Sequence, residues 1–296
     1  MTLFELPLYE NLPWQYTSLF LMLGAAIGSF FNVLALRWPI YQIAKNDLES
    51  KFWIELRGNS LKSKGNSATV EPSLMGGRSH CPTCSKAIPS YRNIPLISWL
   101  LLRGVSACCK TSISPRYLAY EAFGALVFLG IALTTGPSMT GLLLGIFLMT
   151  LSLMAVIDLS DGFIPENLLF IGFFASYGLA MSPIGIGLDA AFTAHLLSFF
   201  GLFLPFAALS KLVGRQLVGT GDFHLIALCS TFLGATAWMI APLIIPFAAL
   251  TWWLLRSGRL KRGLFANVVA NTAIPAGPAI VLSTYILVGL KLVGVV

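Results

Sequence analysis

The chain has 296 residues, of which 56% are hydrophobic and only 10% are charged, and its mean hydropathy is +0.81. Soluble domains carry roughly 25% charged residues, so this composition excludes a soluble globular protein and indicates a polytopic membrane protein. A net charge of +7 can indicate a nucleic-acid partner. In a membrane protein, however, basic residues collect in cytosolic loops, so we expect a lipid bilayer and no nucleic acid around this chain.

Apolar runs recur along the chain at about the length that crosses a bilayer. A spanning helix needs about 20 apolar residues, and helix is the conformation that satisfies a single backbone segment in lipid. The runs lie near 16–36, 117–135, 139–157, 166–182, 187–209, 222–236, 238–255 and 270–290. The predicted fold is therefore all-α, with about eight transmembrane helices and one large cytosolic loop domain between the first and the second.

The polar stretch 37–116 determines the predicted orientation. It holds 12 of the 19 Lys and Arg residues, and basic residues in short loops mark the cytosolic side of a membrane protein. With this stretch inside the cell, eight helices leave Lys291 as the only basic residue outside. Treating 222–255 as one long helix would move the basic cluster 256–262 outside, so we predict a hairpin of two short helices there.

These assignments divide the chain into three predicted parts. Residues 1–36 form the first transmembrane helix with a short periplasmic start, and 37–116 form a cytosolic domain that carries a cysteine motif. Residues 117–296 form a seven-helix membrane domain. The first helix is expected to be retained, because residues 1–15 carry no basic residue and so lack the positive start of a signal peptide.

Two aspartates are predicted to meet at the cytosolic face. Asp158 ends the third helix on that side, and Asp222 begins the sixth helix on the same side. Two close carboxylates cannot both ionise easily, so they share a proton, which suits hydrolysis of a peptide bond. Either aspartate could be the base, because such a pair titrates as a unit. A helix cap or a solvated loop residue is the alternative for each aspartate alone.

Two glycines precede the second aspartate. Asp222 lies in the segment Gly219-Thr220-Gly221-Asp222. Glycine permits a positive φ and a close approach of the backbone, so Gly219 and Gly221 are predicted to form an active-site loop against which an extended substrate could lie.

The motifs together resemble those of the type IV prepilin peptidase family, which are Gly-x-Gly-Asp intramembrane aspartic proteases. The similar blocks, in chain order, are Gly28-Ser29-Phe30-Phe31-Asn32-Val33, Cys81-Pro82-Thr83-Cys84, Asn93-Ile94-Pro95-Leu96, Ile113-Ser114-Pro115-Arg116-Tyr117, Asp158 with Ile164-Pro165, Gly219-Thr220-Gly221-Asp222-Phe223, and Ile274-Pro275-Ala276-Gly277-Pro278. The resemblance runs over most of the chain and implies that Asp158 and Asp222 are the catalytic pair.

The resemblance also implies the substrate and the location. Family members are multi-pass proteins of the bacterial inner membrane with the active site facing the cytosol. They cleave the basic leader of type IV prepilins or type II secretion pseudopilins after glycine, and many then methylate the new amino terminus with S-adenosylmethionine. Pilus or secretion assembly proteins are further partners that the resemblance implies.

The cysteines depart from the family pattern of two Cys-x-x-Cys pairs. Cys81 and Cys84 form the first pair, but the second reads Ser106-Ala107-Cys108-Cys109. Two regular pairs would suit tetrahedral zinc, whereas adjacent cysteines seldom bind one ion without distortion. Zinc on Cys81, Cys84, Cys108 and Cys109 is thus one expectation, and a loop without metal is the other.

Two other functions compete with the peptidase. Intramembrane carboxylates also relay protons, so a proton-coupled transporter is the alternative. Against it, the aspartates lie at helix ends, and the sequence has none of the inverted repeats that transporters often show. The cytosolic domain could also dock a secretion assembly, which is compatible with peptidase activity.

Overall fold

The structure is a computed structural model that describes residues 14–56, 81, 83–84, 86–89, 94–214, 219–234, 237 and 276–294. Helices are the regular elements of these residues, and β-type pairing is limited to isolated bridges such as Val105 with Ser112. The helices are α1 (Trp14–Leu56), α2 (Ile97–Leu101), α3 (Pro115–Thr135), α4 (Met139–Asp161), α5 (Glu166–Ala180), α6 (Leu188–Val213), α7 (Thr220–Leu233) and α8 (Gly277–Leu292).

Four segments in the described part of the chain are long and apolar enough to cross a membrane. They are Trp14–Trp38, Pro115–Thr135, Met139–Asp161 and Leu188–Leu212. Glu166–Ala180 and Gly277–Leu292 are shorter apolar helices. The prediction of an all-α polytopic membrane protein is confirmed. The number of eight spans stays a prediction, and the predicted run 238–255 lies outside the described residues.

The first helix is longer than predicted. It was expected to end near residue 36, but α1 continues to Leu56. The apolar run does stop at Arg37, yet the sequence from 40 to 56 contains neither glycine nor proline, and Gly58 is the first such residue after it. Because hydropathy reports lipid exposure and not backbone propensity, an apolar-run criterion ends this helix too early.

The chain forms two compact units. One comprises Met1–Gly24 with Gly124–Val296, and the other comprises Ala25–Phe123. The first unit contains α4 to α8, and the second contains α2 and the cysteines at 81, 84, 108 and 109. The three predicted domain ranges stay predictions.

The core of the first unit is built around α4. In its most apolar window 61% of the residues are buried inside the protein, against only 6% for α6. Phe147 is fully buried and meets Phe232 of α7 with ring centroids 6.3 Å apart. The apolar side chains of α6 are largely exposed, as expected for a helix whose outer face contacts lipid. A central α4 gives its carboxyl end a fixed position.

Polar side chains anchor α8 to two neighbours. The Tyr285 hydroxyl lies 2.8 Å from Ser152 Oγ and donates to the Leu148 carbonyl oxygen of α4 at 3.1 Å. Thr284 Oγ1 lies 3.2 Å from Cys229 Sγ of α7. Hydrogen bonds of this kind hold helices together in membranes, where helix burial gains little from the hydrophobic effect.

The carboxyl ends of α7 and α8 meet, so the two helices run parallel. Lys291 in the last turn of α8 donates from Nζ to the Phe232 carbonyl oxygen at 2.6 Å, and its Nζ lies 4.2 Å from the centroid of the Phe232 ring. Parallel neighbouring spans require an odd number of membrane crossings between them. The predicted run 238–255 would supply one, and this remains a prediction.

Removing the charge of Lys291 should destabilise the first unit. Lys291 satisfies a carbonyl at the end of α7 that has no partner within the helix. Replacement by methionine is expected to cost about 2 kcal/mol, the size of one charged hydrogen bond plus a cation–π contact. Thermal unfolding of the purified protein in detergent measures this. Lys211→Met, at an exposed position in the last turn of α6, is the control and should change little. Equal unfolding temperatures for both variants would contradict this role of Lys291.

Candidate functional site

Asp158 lies in the last turn of α4. The helix ends at Asp161 because Gly162 adopts a left-handed conformation, with φ of 73°, and returns its N–H to the Asp158 carbonyl oxygen at 2.9 Å. Helices commonly end this way, and glycine adopts the conformation without strain. The side chain of Asp158 is only 6% exposed. Asp158 was expected to end this helix, and the helix continues for three residues beyond it, to Asp161.

The backbone at the start of α8 holds the Asp158 carboxylate. Gly277 N–H donates to Asp158 Oδ2 at 2.9 Å. A Cβ atom on Gly277 would lie 2.6 Å from the same oxygen, so a side chain here would displace the carboxylate. The sequence prediction did not include Gly277 among the site residues. The signal was present in Ala276-Gly277-Pro278, but nothing in the sequence connects it with Asp158.

Asp222 lies in the first turn of α7. The helix begins after Gly219, and the Asp222 N–H donates to the Gly219 carbonyl oxygen at 3.2 Å. Neither Gly219 nor Gly221 has a positive φ, and a close approach of the backbone is found only at Gly221. A Cβ on Gly221 would lie 3.1 Å from Cβ of Ile164, in the segment that follows α4. The two aspartate motifs therefore pack against each other.

The two carboxylates belong to one site. The charge of Asp158 acts electrostatically on Asp222. Both residues lie in the first unit, where α4 and α7 each pack against α5 and α8. The carboxyl end of α4 and the amino end of α7 thus meet, as the sequence predicted for the two side chains. Two carboxylates so placed can share one proton, which is the arrangement that general acid–base hydrolysis of an amide uses.

Further charged and aromatic groups surround this pair. Glu166 in the first turn of α5 acts electrostatically on His224, which lies one turn within α7. The His224 ring lies 4.6 Å from the Phe199 ring of α6, measured between centroids. Asp161 accepts a hydrogen bond from Ser160 Oγ. The end of the first unit that carries the aspartate pair is therefore acidic, with one histidine packed on an aromatic ring.

The second unit brings four cysteines together. The Sγ atoms of Cys81, Cys84, Cys108 and Cys109 all lie within 4.8 Å of one another. Cys81 Sγ lies 3.5 Å from Cys109 Sγ, and Cys84 Sγ lies 3.3 Å from Cys108 Sγ. These separations suit four thiolates that surround one tetrahedral ion at about 2.3 Å each.

A tight turn allows the adjacent cysteines to point inward together. Lys110 N–H donates to the Ser106 carbonyl oxygen at 3.0 Å, and Ser106 N–H donates to the Thr111 carbonyl oxygen at 2.8 Å. Lys110 adopts a left-handed φ of 58°, which reverses the chain directly after Cys109. Adjacent cysteines were expected to need a distorted backbone to point at one ion, and the unusual backbone conformation lies at Lys110.

The backbone around Cys81 favours its thiolate form. The N–H groups of Cys84 and Thr83 donate to the Cys81 sulfur and, with the Ser106 hydroxyl, lower its pKa to about 5. The Thr111 hydroxyl and backbone lower the pKa of Cys109 as well. Thiolates are the form of cysteine that binds metal, so these hydrogen bonds favour the metal-binding form of Cys81 and Cys109.

Comparison with known proteins covers nearly the whole chain. Residues 22–135 match the family model described as "Bacterial Peptidase A24 N-terminal domain", and residues 145–254 match the one described as "Type IV leader peptidase family". No solved structure is significantly similar to the chain.

Curated relatives are similar over most of their length. A protein of Aeromonas hydrophila is 31% identical over 285 residues, which cover 95% of this chain and 93% of the relative. One from Neisseria gonorrhoeae is 30% identical over 280 residues, which cover 90% of this chain and 87% of the relative. One from Pseudomonas putida is 26% identical over 276 residues, which cover 93% of this chain and 91% of the relative. All three carry the name "Prepilin leader peptidase/N-methyltransferase".

Proposed function

Because the chain belongs to the type IV leader peptidase family, we propose that it cleaves the leader from type IV prepilins or type II secretion pseudopilins with Asp158 and Asp222 as the catalytic pair. The observation that carries this assignment is the packing of the two aspartate motifs against each other, where a Cβ on Gly221 would lie 3.1 Å from Cβ of Ile164, with the buried Asp158 held by the Gly277 N–H. The comparisons do not support the alternative of a proton-coupled transporter.

The proposed reaction uses the shared proton. The ionised aspartate takes a proton from a water molecule while the oxygen of that water attacks the scissile carbonyl carbon. The protonated aspartate donates its proton to the carbonyl oxygen. The intermediate then breaks its C–N bond, and the pair returns a proton to the leaving nitrogen. That nitrogen becomes the amino terminus of the mature pilin. The pair titrates jointly, so each aspartate can start in either role.

Charge supports a cytosolic position for this site in the bacterial inner membrane. The stretch 37–116 contains 12 of the 19 basic residues, and it runs from the end of the apolar segment of α1 to the start of α3. Under the positive-inside rule that stretch is cytosolic, which places the carboxyl end of α4 and the amino end of α7 on the same side. A basic leader that remains in the cytosol would meet an acidic edge formed by Asp161 and Glu166.

Cleavage of a purified substrate tests the proposal directly. The detergent-solubilised protein is incubated with a full-length prepilin, and the products are weighed by mass spectrometry. We expect a mature chain that begins directly after the glycine of the leader. Intact prepilin after prolonged incubation with correctly folded protein would refute the proposed activity. Proton flux into liposomes without cleavage would favour the transporter instead.

A second proposed activity is methylation of the new amino terminus. When bound, S-adenosylmethionine would supply the electrophilic methyl group for this amine. The names of the relatives support this activity. The second unit also fits a polar cofactor, because it buries polar atoms of Asn32 and Arg116 that have no hydrogen-bond partner in the described part of the chain. Partners in pilus or secretion assembly remain a proposal from the resemblance alone.

The cysteine cluster is proposed to hold zinc in a structural site. The donor set of four sulfurs fits the tetrahedral preference of zinc, and four thiolates leave no open position for catalysis. Bound zinc would pin the segment around Cys81 and Cys84 to the turn at Cys108 and Cys109. The ion would thereby stabilise the second unit.

Metal analysis provides a test of the zinc site. We expect about one zinc per chain in the purified protein, because four thiolates bind one ion. The double variant Cys81→Ser, Cys84→Ser should lose the metal and unfold at a lower temperature. Cys229→Ala is the matched control, because Cys229 is buried in the first unit and should leave the zinc content unchanged. Protein that is purified without chelators and contains no zinc would contradict the proposal.

A further inference from the structure

The second unit contains a fully buried amide that finds no partner. Asn32 of α1 is 0% exposed, and neither Oδ1 nor Nδ2 makes a hydrogen bond within the described residues. Buried polar groups are almost always hydrogen-bonded, because leaving them unpaired after desolvation is costly. Where such a group persists, a ligand that satisfies it is a physical explanation.

Arg116 presents a second set of unused donors in the same unit. Its Nε and Nη2 atoms are buried and have no hydrogen-bond partner in the part of the chain that is described. Its guanidinium carbon lies 5.9 Å from the centroid of the Tyr120 ring, and the Arg116 side chain also interacts with the Tyr120 hydroxyl, which leaves Nε and Nη2 as the donors without a partner. A guanidinium with free, buried N–H groups is suited to a carboxylate or a phosphate.

Helix packing brings Asn32 to the level of Arg116. A Cβ on Gly28 would collide with the Tyr120 carbonyl oxygen, so α1 and α3 are in backbone contact there. Asn32 lies one turn after Gly28 on the same face of α1, and Arg116 lies one turn before Tyr120 on α3. In an antiparallel pair, the turn that follows Gly28 in α1 lies beside the turn that precedes Tyr120 in α3. Asn32 and Arg116 are then at the same level.

The direction of the helices is given by contacts in the first unit. Phe20 and Phe128 have ring centroids 6.1 Å apart, and a Cβ on Gly24 would collide with the Gly124 carbonyl oxygen. Residue numbers rise along α1 as they fall along α3, so the helices run antiparallel.

A carboxylate forms a fixed neighbour of this level. Glu121 is buried and accepts hydrogen bonds from Ser29 Oγ at Oε1 and from Leu96 N–H at Oε2, both at 2.7 Å. Leu96 is held there with a left-handed φ of 60°. Because these two donors occupy Glu121, Arg116 remains available for a ligand. The surroundings thus combine a cation with free donors, an amide and a fixed negative charge.

We propose that Asn32 and Arg116 bind the amino-acid end of S-adenosylmethionine, an inference that rests on the methyl transfer proposed above. The α-carboxylate of the donor suits the Arg116 guanidinium, and its ammonium and carboxylate can use the acceptor and the donor of the Asn32 amide. The nearby Glu121 carboxylate complements the positive charges of the ligand. A lipid phosphate shares only the anionic part of this chemistry.

The position of the two residues makes the site reachable from water. Arg116 is the second residue of α3, at the helix end next to the polar stretch. Asn32 lies about 9 Å before Trp38, where the apolar segment of α1 ends, at 1.5 Å per residue. A soluble cofactor would therefore enter from the membrane edge and not cross the bilayer.

Binding of S-adenosylhomocysteine to the full-length protein in detergent tests the inference without any methyl transfer. We expect Asn32→Leu and Arg116→Met each to raise the Kd at least tenfold. Asn167→Leu and Arg103→Met make the same chemical changes at exposed positions and should keep the Kd within twofold. Adenosine, which lacks the amino-acid end, should bind wild type and Arg116→Met equally.

A stability measurement separates ligand binding from a structural role. Because the Asn32 amide is unpaired, Asn32→Leu should unfold at a higher temperature than wild type when no ligand is present. Asn32→Ser is the second variant if leucine is not accommodated, and it should also weaken binding. An Asn32→Leu protein that unfolds earlier and still binds the probe would overturn the inference.

The remaining outcomes are distinct. If wild type binds S-adenosylhomocysteine and both variants bind it equally well, the site assignment fails while methyl transfer stands. If wild type binds none, both fail. Phosphatidylglycerol micelles could instead displace the probe from the wild type. If the Arg116→Met variant then no longer binds the lipid but still binds S-adenosylhomocysteine, the site belongs to a lipid phosphate and the proposal is overturned.

Discussion

Asparagine at either Asp158 or Asp222 is expected to abolish leader cleavage. The substitution keeps the shape of the side chain but removes the group that shares the proton. General acid–base groups contribute roughly 10² to 10⁴-fold, so kcat should fall by about 10³-fold or more in each single variant. The double variant should be no slower than the singles, because residues that act as a unit are not additive. Initial rates of prepilin cleavage measure all three.

Asp189→Asn is the control for these variants. Asp189 lies in the first turn of α6, as Asp222 lies in the first turn of α7, so the change is matched in chemistry and in local structure. It begins a helix of 26 residues, about 39 Å long, whose other end leads toward α7. Cleavage at more than a tenth of the wild-type rate by either Asp158→Asn or Asp222→Asn would exclude a shared proton.

The membrane class and the meeting of the two aspartates were accessible from the sequence for a physical reason. Lipid restricts the backbone to helices, so apolar runs predict elements, and basic loops predict their direction. Two side chains at helix ends then fall at one depth even when they are far apart in the chain. The electrostatic interaction of Asp158 with Asp222 agrees with that argument, while their catalytic role stays a proposal.

Helix ends and close approaches were not accessible in the same way. The apolar run stops at Ile157, but α4 continues until Gly162 reverses the chain. The hydrogen bond from Gly277 to Asp158 joins residues 119 positions apart, and no local pattern connects them. In the second unit, hydropathy did not reveal that α1 continues to Leu56. These features depend on backbone geometry and on tertiary packing.

The cysteines illustrate how a local irregularity can be resolved by the backbone. Adjacent Cys108 and Cys109 argued against a single ion, because alternate directions of neighbouring side chains are the usual expectation. The left-handed Lys110 closes a turn that brings both sulfurs to Cys81 and Cys84. Sequence spacing alone therefore does not exclude a cluster of four sulfurs when a turn can adopt an unusual φ.

Gly277→Ala should reduce cleavage strongly while the protein remains folded. The new Cβ would lie 2.6 Å from Asp158 Oδ2, closer than any such contact tolerates, so the carboxylate or the start of α8 must move. A shift of about 1 Å in a catalytic group can cost about 100-fold, and we expect a loss of this size in kcat. The hydrogen bond from the Gly277 N–H should lengthen at the same time.

Gly289→Ala is the matched control on the same helix, because a Cβ at Gly289 would meet nothing within 4 Å. Alanine favours the interior of a helix over glycine by up to about 1 kcal/mol, so Gly289→Ala should leave α8 as stable or more stable. In Gly277→Ala the contact with Asp158 offsets such a gain, and we expect little net change in the unfolding temperature. A loss of cleavage in Gly277→Ala with an unchanged unfolding temperature would then come from the displaced Asp158. If both variants cleave at the wild-type rate, the contact between α8 and Asp158 has no part in catalysis. The reaction would then have to rely on Asp158 being held by α4 alone.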